Sequence, residues 1–276
     1  MTGVTIKVRL RTSGISGSEE MSISKTEGIV LKHTNLGEAD KILTILTRNN
    51  GKIKAIAKGC RKPKSSLLSS SEVFVFSEFV VYKGTNFYHI SQASTRETFY
   101  NIRKDLLRLS YATYFAELAE AVSDEDIPSE RLFLLLAKTL YYLSTGEIPM
   151  GLLHLGYQLK LMDISGYRPN LGRCAICRKA SEDYTRFSVN LGGVICVDCS
   201  TDEKLWKDGD VFKISQGTIE AFKFLLNTEI SRLNTKKIDN TIFNEIDKIT
   251  RSFIQSHLDK RFKSLDFLDD IKDSGF

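Results

Sequence analysis

KILTILTR, NNG and KIKAIAK, residues 41–48, 49–51 and 52–58, decide the fold of the N-terminal part of this chain. Apolar and polar positions alternate with a period near two on either side of Asn49-Asn50-Gly51, which is the period of half-buried strands. Asn and Gly accept the positive φ of a tight hairpin, so the two runs are expected to pair antiparallel. Outward from the hairpin, Gly28-Ile29-Val30-Leu31 is short and β-branched. Glu72 to Tyr82 (EVFVFSEFVVY) is long, aromatic and β-branched, and Lys83-Gly84-Thr85-Asn86 turns the chain into Phe87 to Ile90. Five strands therefore fall between Lys25 and Ser94 with no convincing helix among them. A small closed barrel is the economical arrangement, and the common five-stranded one is the OB-fold.

Beyond residue 98 the period becomes helical. Phe99 to Val122 carries Leu106, Leu109, Tyr114, Leu118 and Ala121 near one stripe. Asp124 to Pro128 breaks it, Ser129 offers a cap, and Leu132 to Leu143 is apolar nearly all round, as expected of a helix in the middle of a bundle. Met150 to Ile164 reads as a third helix, stopped before Gly166-Tyr167-Arg168-Pro169. Helical patterning returns at Ser215 to Leu226 and at Asn240 to Leu258. There is no internal repeat.

Two C-x-x-C pairs interrupt these helices. Cys174 and Cys177 precede Cys196 and Cys199, with 18 residues between the pairs. Each pair is a tight turn that aims two thiolates at one point, and together they supply the sulfurs of a closed tetrahedral zinc site. Tyr184 to Val189 has strand character, Asn190-Leu191-Gly192-Gly193 is a turn, and Val194-Ile195 leads into the second pair, so a hairpin would return one knuckle to the other. Two redox or disulfide pairs are the weaker reading, since no βαβ thioredoxin pattern or secretory signal is present. Four sulfurs leave no open position, so the metal should hold the fold rather than do chemistry. Cys60 has no partner by spacing and reads as a small residue in a loop.

The expected class is α+β: a five-stranded OB barrel over 21–98, a helical domain over 99–170 and 204–260, and a zinc module inserted at 171–203. Residues 1–20, rich in Thr, Ser and Gly, read as a disordered or expression-derived leader, with Met21 as a natural start. Residues 261–276 form an acidic tail carrying Asp266, Asp269, Asp270 and Asp273 before Phe276. A frayed, solvated end is the plain expectation for it.

Charge is distributed unevenly. Residues 21–110 hold 15 Lys/Arg against 7 Asp/Glu, whereas residues 111–276 hold 21 against 25. The basic third points to a polyanion partner. Within it, Lys58, Arg61, Lys62 and Lys64 lie in seven residues, followed by Ser65 and Ser66. Pro63 forbids regular structure, so these cations should sit on a wet loop that neutralises phosphates, with Ser65 adding a phosphate contact. Phe74, Phe76, Tyr82, Phe87 and Tyr88 are candidates for base stacking, although most are expected in the barrel core. His33, His89, His154 and His257 lack metal-ligand spacing. No phosphate-cradling G-x-x-x-x-G-K-[ST], H-E-x-x-H or G-x-S-x-G occurs, and Lys207-Asp208-Gly209 lacks the spacer of a nucleotidyl-transfer K-x-D-G. No long apolar run is present, and a cytoplasmic protein is expected.

Glu27-Gly28-Ile29-Val30-Leu31, Gly37-Glu38-Ala39-Asp40, Gly51-Lys52 and Ala57 to Ser65 occur in this order, and Gly166-Tyr167-Arg168-Pro169-Asn170-Leu171 leads into the first cysteine. This series resembles the RecO family of bacterial recombination mediators over about residues 21–260. The resemblance implies an OB-fold followed by a helical domain with a zinc module. It implies binding of single- and double-stranded DNA, annealing of complementary strands, and partnership with RecR. It also implies binding of the acidic tail of single-strand-binding protein, help to RecA in displacing that protein, and a nucleoid-associated place in the cell. Lys58, Arg61, Lys62 and Lys64 match the family's basic loop, whereas Cys60 stands where the family more often has a small apolar residue. The alternative is a nucleic-acid-modifying or joining enzyme, since OB barrels and four-cysteine modules recur there. A scaffold that binds only proteins is a third possibility.

Overall fold

The computed structural model describes residues 23–202 and 211–274. The leader 1–20, Met21, Lys207-Asp208-Gly209 and Phe276 lie outside the described residues. The chain divides into two compact units, one made of the segment up to 104 with 116–140, the other of 105–115 with the segment from 141 onward.

In the first unit, β1 (Ile23–Leu36), β2 (Asp40–Thr47), β3 (Lys52–Ala57), β4 (Phe76–Lys83) and β5 (Tyr88–Glu97) close a barrel in the order β1-β2-β3-β5-β4. The hairpin of residues 41–58 pairs antiparallel as expected, with Leu46 opposite Lys52 and Lys41 opposite Ala57, around a Gly51 at φ +67°. Closure comes from β1, which pairs with β2 along one stretch and β4 along another, and from a short parallel contact of Ala55 with Tyr88 and Ile56 with His89. Gly28 sits where β1 crosses the core: a Cβ there would lie 2.6 Å from Ile45 Cγ2. Val30, Leu43, Ile45, Ile53, Phe79, Val81 and Ile90 fill the interior, and Cys60, fully buried, joins them from its turn. A small apolar side chain would suit that position equally.

Strand limits differ from the sequence expectation in a consistent way. β1 runs well beyond Gly28–Leu31 because it serves two neighbours, so its outward positions are polar and escape an apolar count. β4 starts at Phe76 rather than Glu72, since buried Phe74 has φ +68°, which breaks strand geometry there; its N–H donates to Val30 O, while Val30 N–H donates to Val75 O.

In the second unit the helical spans at Met150–Ile164 (α3) and Asn240–Leu258 (α6) fall where the periodicity puts them, and Ser215 caps α5 (Gln216–Asn227). α1 is Leu106–Val122, not Phe99 onward; Asp105 Oδ1 accepts the Arg108 N–H at 3.0 Å and fixes its start. The all-round buried helix is α3, not the 132–143 segment, which lies in α2 (Glu130–Thr145) and exposes Leu134 and Tyr141. The polar residues of α3 disguised it. Tyr157 donates to Phe115 O at 2.8 Å, and Gln158 Nε2 donates to Tyr114 Oη at 2.9 Å, so both are buried with partners.

The acidic end is a further correction. Lys263–Asp273 forms a helix, α7, with Leu268 and Ile271 buried. Arg251 is held between Asp247 and Asp269, the latter as a bidentate pair at 2.9 Å on one arm, which ties α7 to α6. Behind it, fully buried His154 meets Asp247 through Nε2 at 3.0 Å, while its Nδ1 has no partner among the described residues. Burial lowers the His154 pKa against the opposing pull of Asp247. Burial would raise Asp247, but His154, Arg251 and Lys272 together hold it below its ordinary value. Both folded values lie beneath the unfolded ones, so both groups stabilise at higher pH and lose that contribution as pH falls, His154 first, from about 6.5 downward. The melting temperature of the helical unit should therefore drop between pH 7 and pH 5, and His154→Gln should flatten that drop. A profile unchanged by the substitution would assign the acid sensitivity to other groups.

Candidate metal centre and nucleic-acid interface

The cysteine module is built on a hairpin, β6 (Tyr184–Ser188) and β7 (Gly193–Cys196), followed by a single helical turn, α4 (Val197–Ser200). A third strand, β8 (Val211–Lys213), pairs with β6 and was not expected from the sequence, being three residues long. The first knuckle is a closed turn: Cys174 N–H donates to Lys179 O at 2.9 Å and Arg178 N–H to Cys174 O at 3.0 Å. Ala175 N–H reaches Val194 O at 2.7 Å and ties this knuckle to β7. Asn170, from the Gly166–Leu171 stretch, adds a short parallel bridge: its N–H donates to Gly192 O, and it accepts from Val194 N–H. A side chain at Gly193 would strike Asn170 O, which explains the glycine.

This scaffold brings all four predicted cysteines together, their Sγ atoms within 4.8 Å of one another and Cys177 to Cys196 at 3.9 Å. A tetrahedral centre with metal–sulfur bonds of about 2.3 Å needs sulfurs roughly 3.8 Å apart. Cys174 lies under the Cys196 N–H at 3.5 Å. Burial acts to raise the Cys174 pKa, yet the N–H groups of Cys196, Cys177 and Ile176 outweigh it and bring the value down to about 6. Burial and the neighbouring sulfurs push Cys199 in the opposite direction, up to about 12. A divalent cation is what allows several crowded thiols to ionise together. The donor set thus fits a thiophilic metal.

The basic loop is less regular but equally fixed. Lys58, Arg61, Lys62 and Lys64 are all exposed, and Ser65 is half-buried. A chain of turns carries them, with Lys62 N–H on Gly59 O, Ser65 N–H on Lys62 O, and Ser65 Oγ accepting from Leu67 N–H. The loop is stapled to the β1–β2 turn: Asp40 Oδ1 accepts Gly59 N–H at 2.7 Å, Ala39 O accepts Arg61 N–H, and Gly37 O accepts Arg61 Nη1 at 3.0 Å. Gly59, at φ +65°, allows the bend. The Gly37–Asp40 and Lys58–Ser65 motifs therefore form one structural feature. No spacing rule signals this.

Ion pairing sets the loop apart from the barrel wall. Lys25, Lys32, Arg48, Lys54, Lys83 and Arg96 each meet a carboxylate, whereas Lys58, Lys62 and Lys64 enter no ion pair among the described residues. Of the aromatic candidates, Phe74 is core and Phe76 packs edge-on against Phe133. Tyr82 stacks on His89, Phe87 is half-buried, and Tyr88 donates to Asp126. No helix among the described residues is long and apolar enough to cross a membrane.

Comparison with known proteins matches these two parts separately. A family model described as Recombination protein O N terminal covers residues 21–99, and one described as Recombination protein O C terminal covers residues 103–266. Among curated relatives, the DNA repair protein RecO of Alkaliphilus metalliredigens is 38% identical over 88% of this chain and 97% of its own length. The protein of that name from Thermoanaerobacter sp. is 36% identical over 91% and 99%. That from Desulforamulus reducens is 37% identical over 90% and 95%. Closed barrel, four-cysteine module and two matched halves lead to one assignment: the chain belongs to the RecO family of DNA repair proteins.

Proposed function

We propose that this protein is a non-enzymatic recombination mediator that binds single- and double-stranded DNA and anneals complementary strands. In this reading it works with RecR to load RecA onto DNA coated by single-strand-binding protein, whose acidic tail it binds. The observation that carries the reading is the stapled loop 58–65, whose lysines are exposed and unneutralised while Lys25, Lys32, Arg48, Lys54, Lys83 and Arg96 of the barrel each meet a carboxylate. Cations held ready in this way release counterions when phosphates replace water around them, without any sequence preference. Lys58, Arg61, Lys62, Lys64 and Ser65 would make these contacts. Annealing then follows from neutralising and concentrating two strands and needs no bond chemistry. Zinc, held by Cys174, Cys177, Cys196 and Cys199, would cross-link the inserted module and leave no open coordination position. A cytoplasmic, nucleoid-associated location fits these partners.

The test combines binding and annealing. The purified protein should bind a fluorescent oligonucleotide with affinity that falls steeply between two salt concentrations, and should anneal complementary strands at the same rate with and without ATP. Salt-independent binding, or annealing that stops without ATP, would overturn the reading.

A further inference from the structure

The barrel has a second cationic surface, and it is already occupied. Lys52 and Lys54 on β3 and Lys83 at the end of β4 line a cleft of about 240 Å³, together with Tyr88, Glu125 and Asp126. The last two belong to the link between α1 and α2. Glu125 Oε1 lies 2.6 Å from Lys54 Nζ, and Asp126 Oδ2 lies 2.7 Å from Lys83 Nζ. The other oxygen of Asp126 takes the Tyr88 hydroxyl at 2.9 Å. The link is seated by backbone contacts as well. Lys52 N–H donates to Asp124 O and Asp126 N–H donates to Lys52 O, both at 3.2 Å, so the link lies along β3 as a parallel bridge. Gly51 leaves room for Ile127, whose backbone a Cβ at that position would strike. Asp126 takes φ +60°, a conformation few non-glycine residues adopt.

In five-stranded barrels of this type, the face of strands 2 and 3 and the loop between strands 4 and 5 receive oligonucleotides. Here β3 and the 83–88 turn supply that face, and two carboxylates stand on its lysines. A carboxylate on a lysine ammonium makes the contact that a phosphate oxygen makes. We propose that this cleft is a second binding site for the phosphate backbone of single-stranded nucleic acid, and that Glu125 and Asp126 hold it shut as a competitor within the chain. The proposal rests on the DNA-binding reading above and extends it. Both pairs are exposed, so each is weak and displaceable by a polyanion that offers several phosphates at once. DNA first engaged on loop 58–65, which has no such competitor among the described residues, would then displace the link and gain Lys54 and Lys83. Tyr88, released from Asp126, becomes available to a base.

The experiment uses the full chain. Glu125→Gln with Asp126→Asn preserves side-chain shape and removes the charge. Its affinity for a single-stranded fluorescent oligonucleotide near 0.15 M salt should rise about tenfold, because phosphates no longer have to displace two exposed carboxylates from Lys54 and Lys83. Lys54→Gln with Lys83→Gln should cost more in that background than in the original chain, a non-additivity that marks direct coupling. Asp270→Asn with Asp273→Asn makes the same change in net charge on α7 and should give no such gain. Amine acylation should label Lys54 and Lys83 more in the neutralised variant, and the oligonucleotide should protect them. That readout holds regardless of how tightly each form binds. If the original chain binds with the expected salt dependence but the neutralised link changes nothing, or the α7 control gains equally, the second site is wrong and the proposed function stands. If no form binds, both fall.

Discussion

Cys174→Ser should abolish the metal content of the purified protein, taking it from about one equivalent of zinc to a small fraction, and should unfold the module around it while the barrel remains folded. Cys174 is the sulfur on which the module converges. It accepts the Cys196 N–H, and its own backbone closes the first knuckle through Lys179 and Arg178. Isolated structural zinc peptides gain an apparent binding free energy of about 10–16 kcal/mol near pH 7, and little structure survives its loss. Phe187 packs on Phe222 and Phe253, and Val194 and Ile195 are buried, so the unfolding should centre on the two cysteine knuckles rather than on β6 and β7. Because Asn170 pins β7 to the end of the α3 connection, the expected consequences are lower solubility and altered partner binding. Metal analysis, thiol titration and proteolysis of residues 171–202 decide the matter. A purified chain with all thiols free, no metal and a protected module would show that the cysteines are held by packing alone.

The barrel hairpin and α3 show what the sequence makes legible and what it hides. Residues 41–58 could be read because a two-residue period and an Asn-Asn-Gly turn are local signals, and both strands face one core. β1 could be read only in its middle, because a strand that pairs on both sides of a closed barrel carries outward polar residues along most of its length. α3 was legible as a helix but not as the one buried all round: His154 and Gln158 are polar, and each is buried with a partner contributed by a distant element. α7 was masked by its aspartates, one of which, Asp269, serves an arginine rather than water.

The candidate sites divide in the same way. The four cysteines were readable because ligand spacing is a local constraint, and the fold brings all four into one cluster. The exposure of the loop cations was readable from Pro63 and the charge run. Three features were not: the Asp40 staple, the carboxylates on Lys54 and Lys83, and the strand at 211–213. Each depends on residues brought together across at least nineteen positions, and nothing in a local pattern encodes which acidic residue will meet which lysine.

Replacing Arg61, Lys62 and Lys64 together by alanine should weaken binding to all DNA sequences alike. On single strands each phosphate contact contributes roughly 0.7 to the slope of log affinity against log salt, so three lost contacts should lower it by about 2. At 0.15 M salt the same counterion release amounts to a loss of roughly fiftyfold in affinity. The fold should tolerate the change. The three side chains are exposed, and among the described residues only the Arg61 guanidinium makes a hydrogen bond, to Gly37 O. The loop is held by backbone groups that alanine retains: Gly59 N–H on Asp40, Arg61 N–H on Ala39 O, and Ser65 N–H on Lys62 O. An unchanged melting temperature with reduced affinity and slope would therefore assign the loss to phosphate contact rather than to misfolding. The outcome also separates the two cationic surfaces of the barrel. If loop 58–65 is where DNA first engages, its loss should penalise the original chain more than the variant with a neutralised 124–126 link, which offers Lys54 and Lys83 from the start. Affinity and slope unchanged in the triple variant would make the loop a solvated surface and move the binding site to another part of the protein.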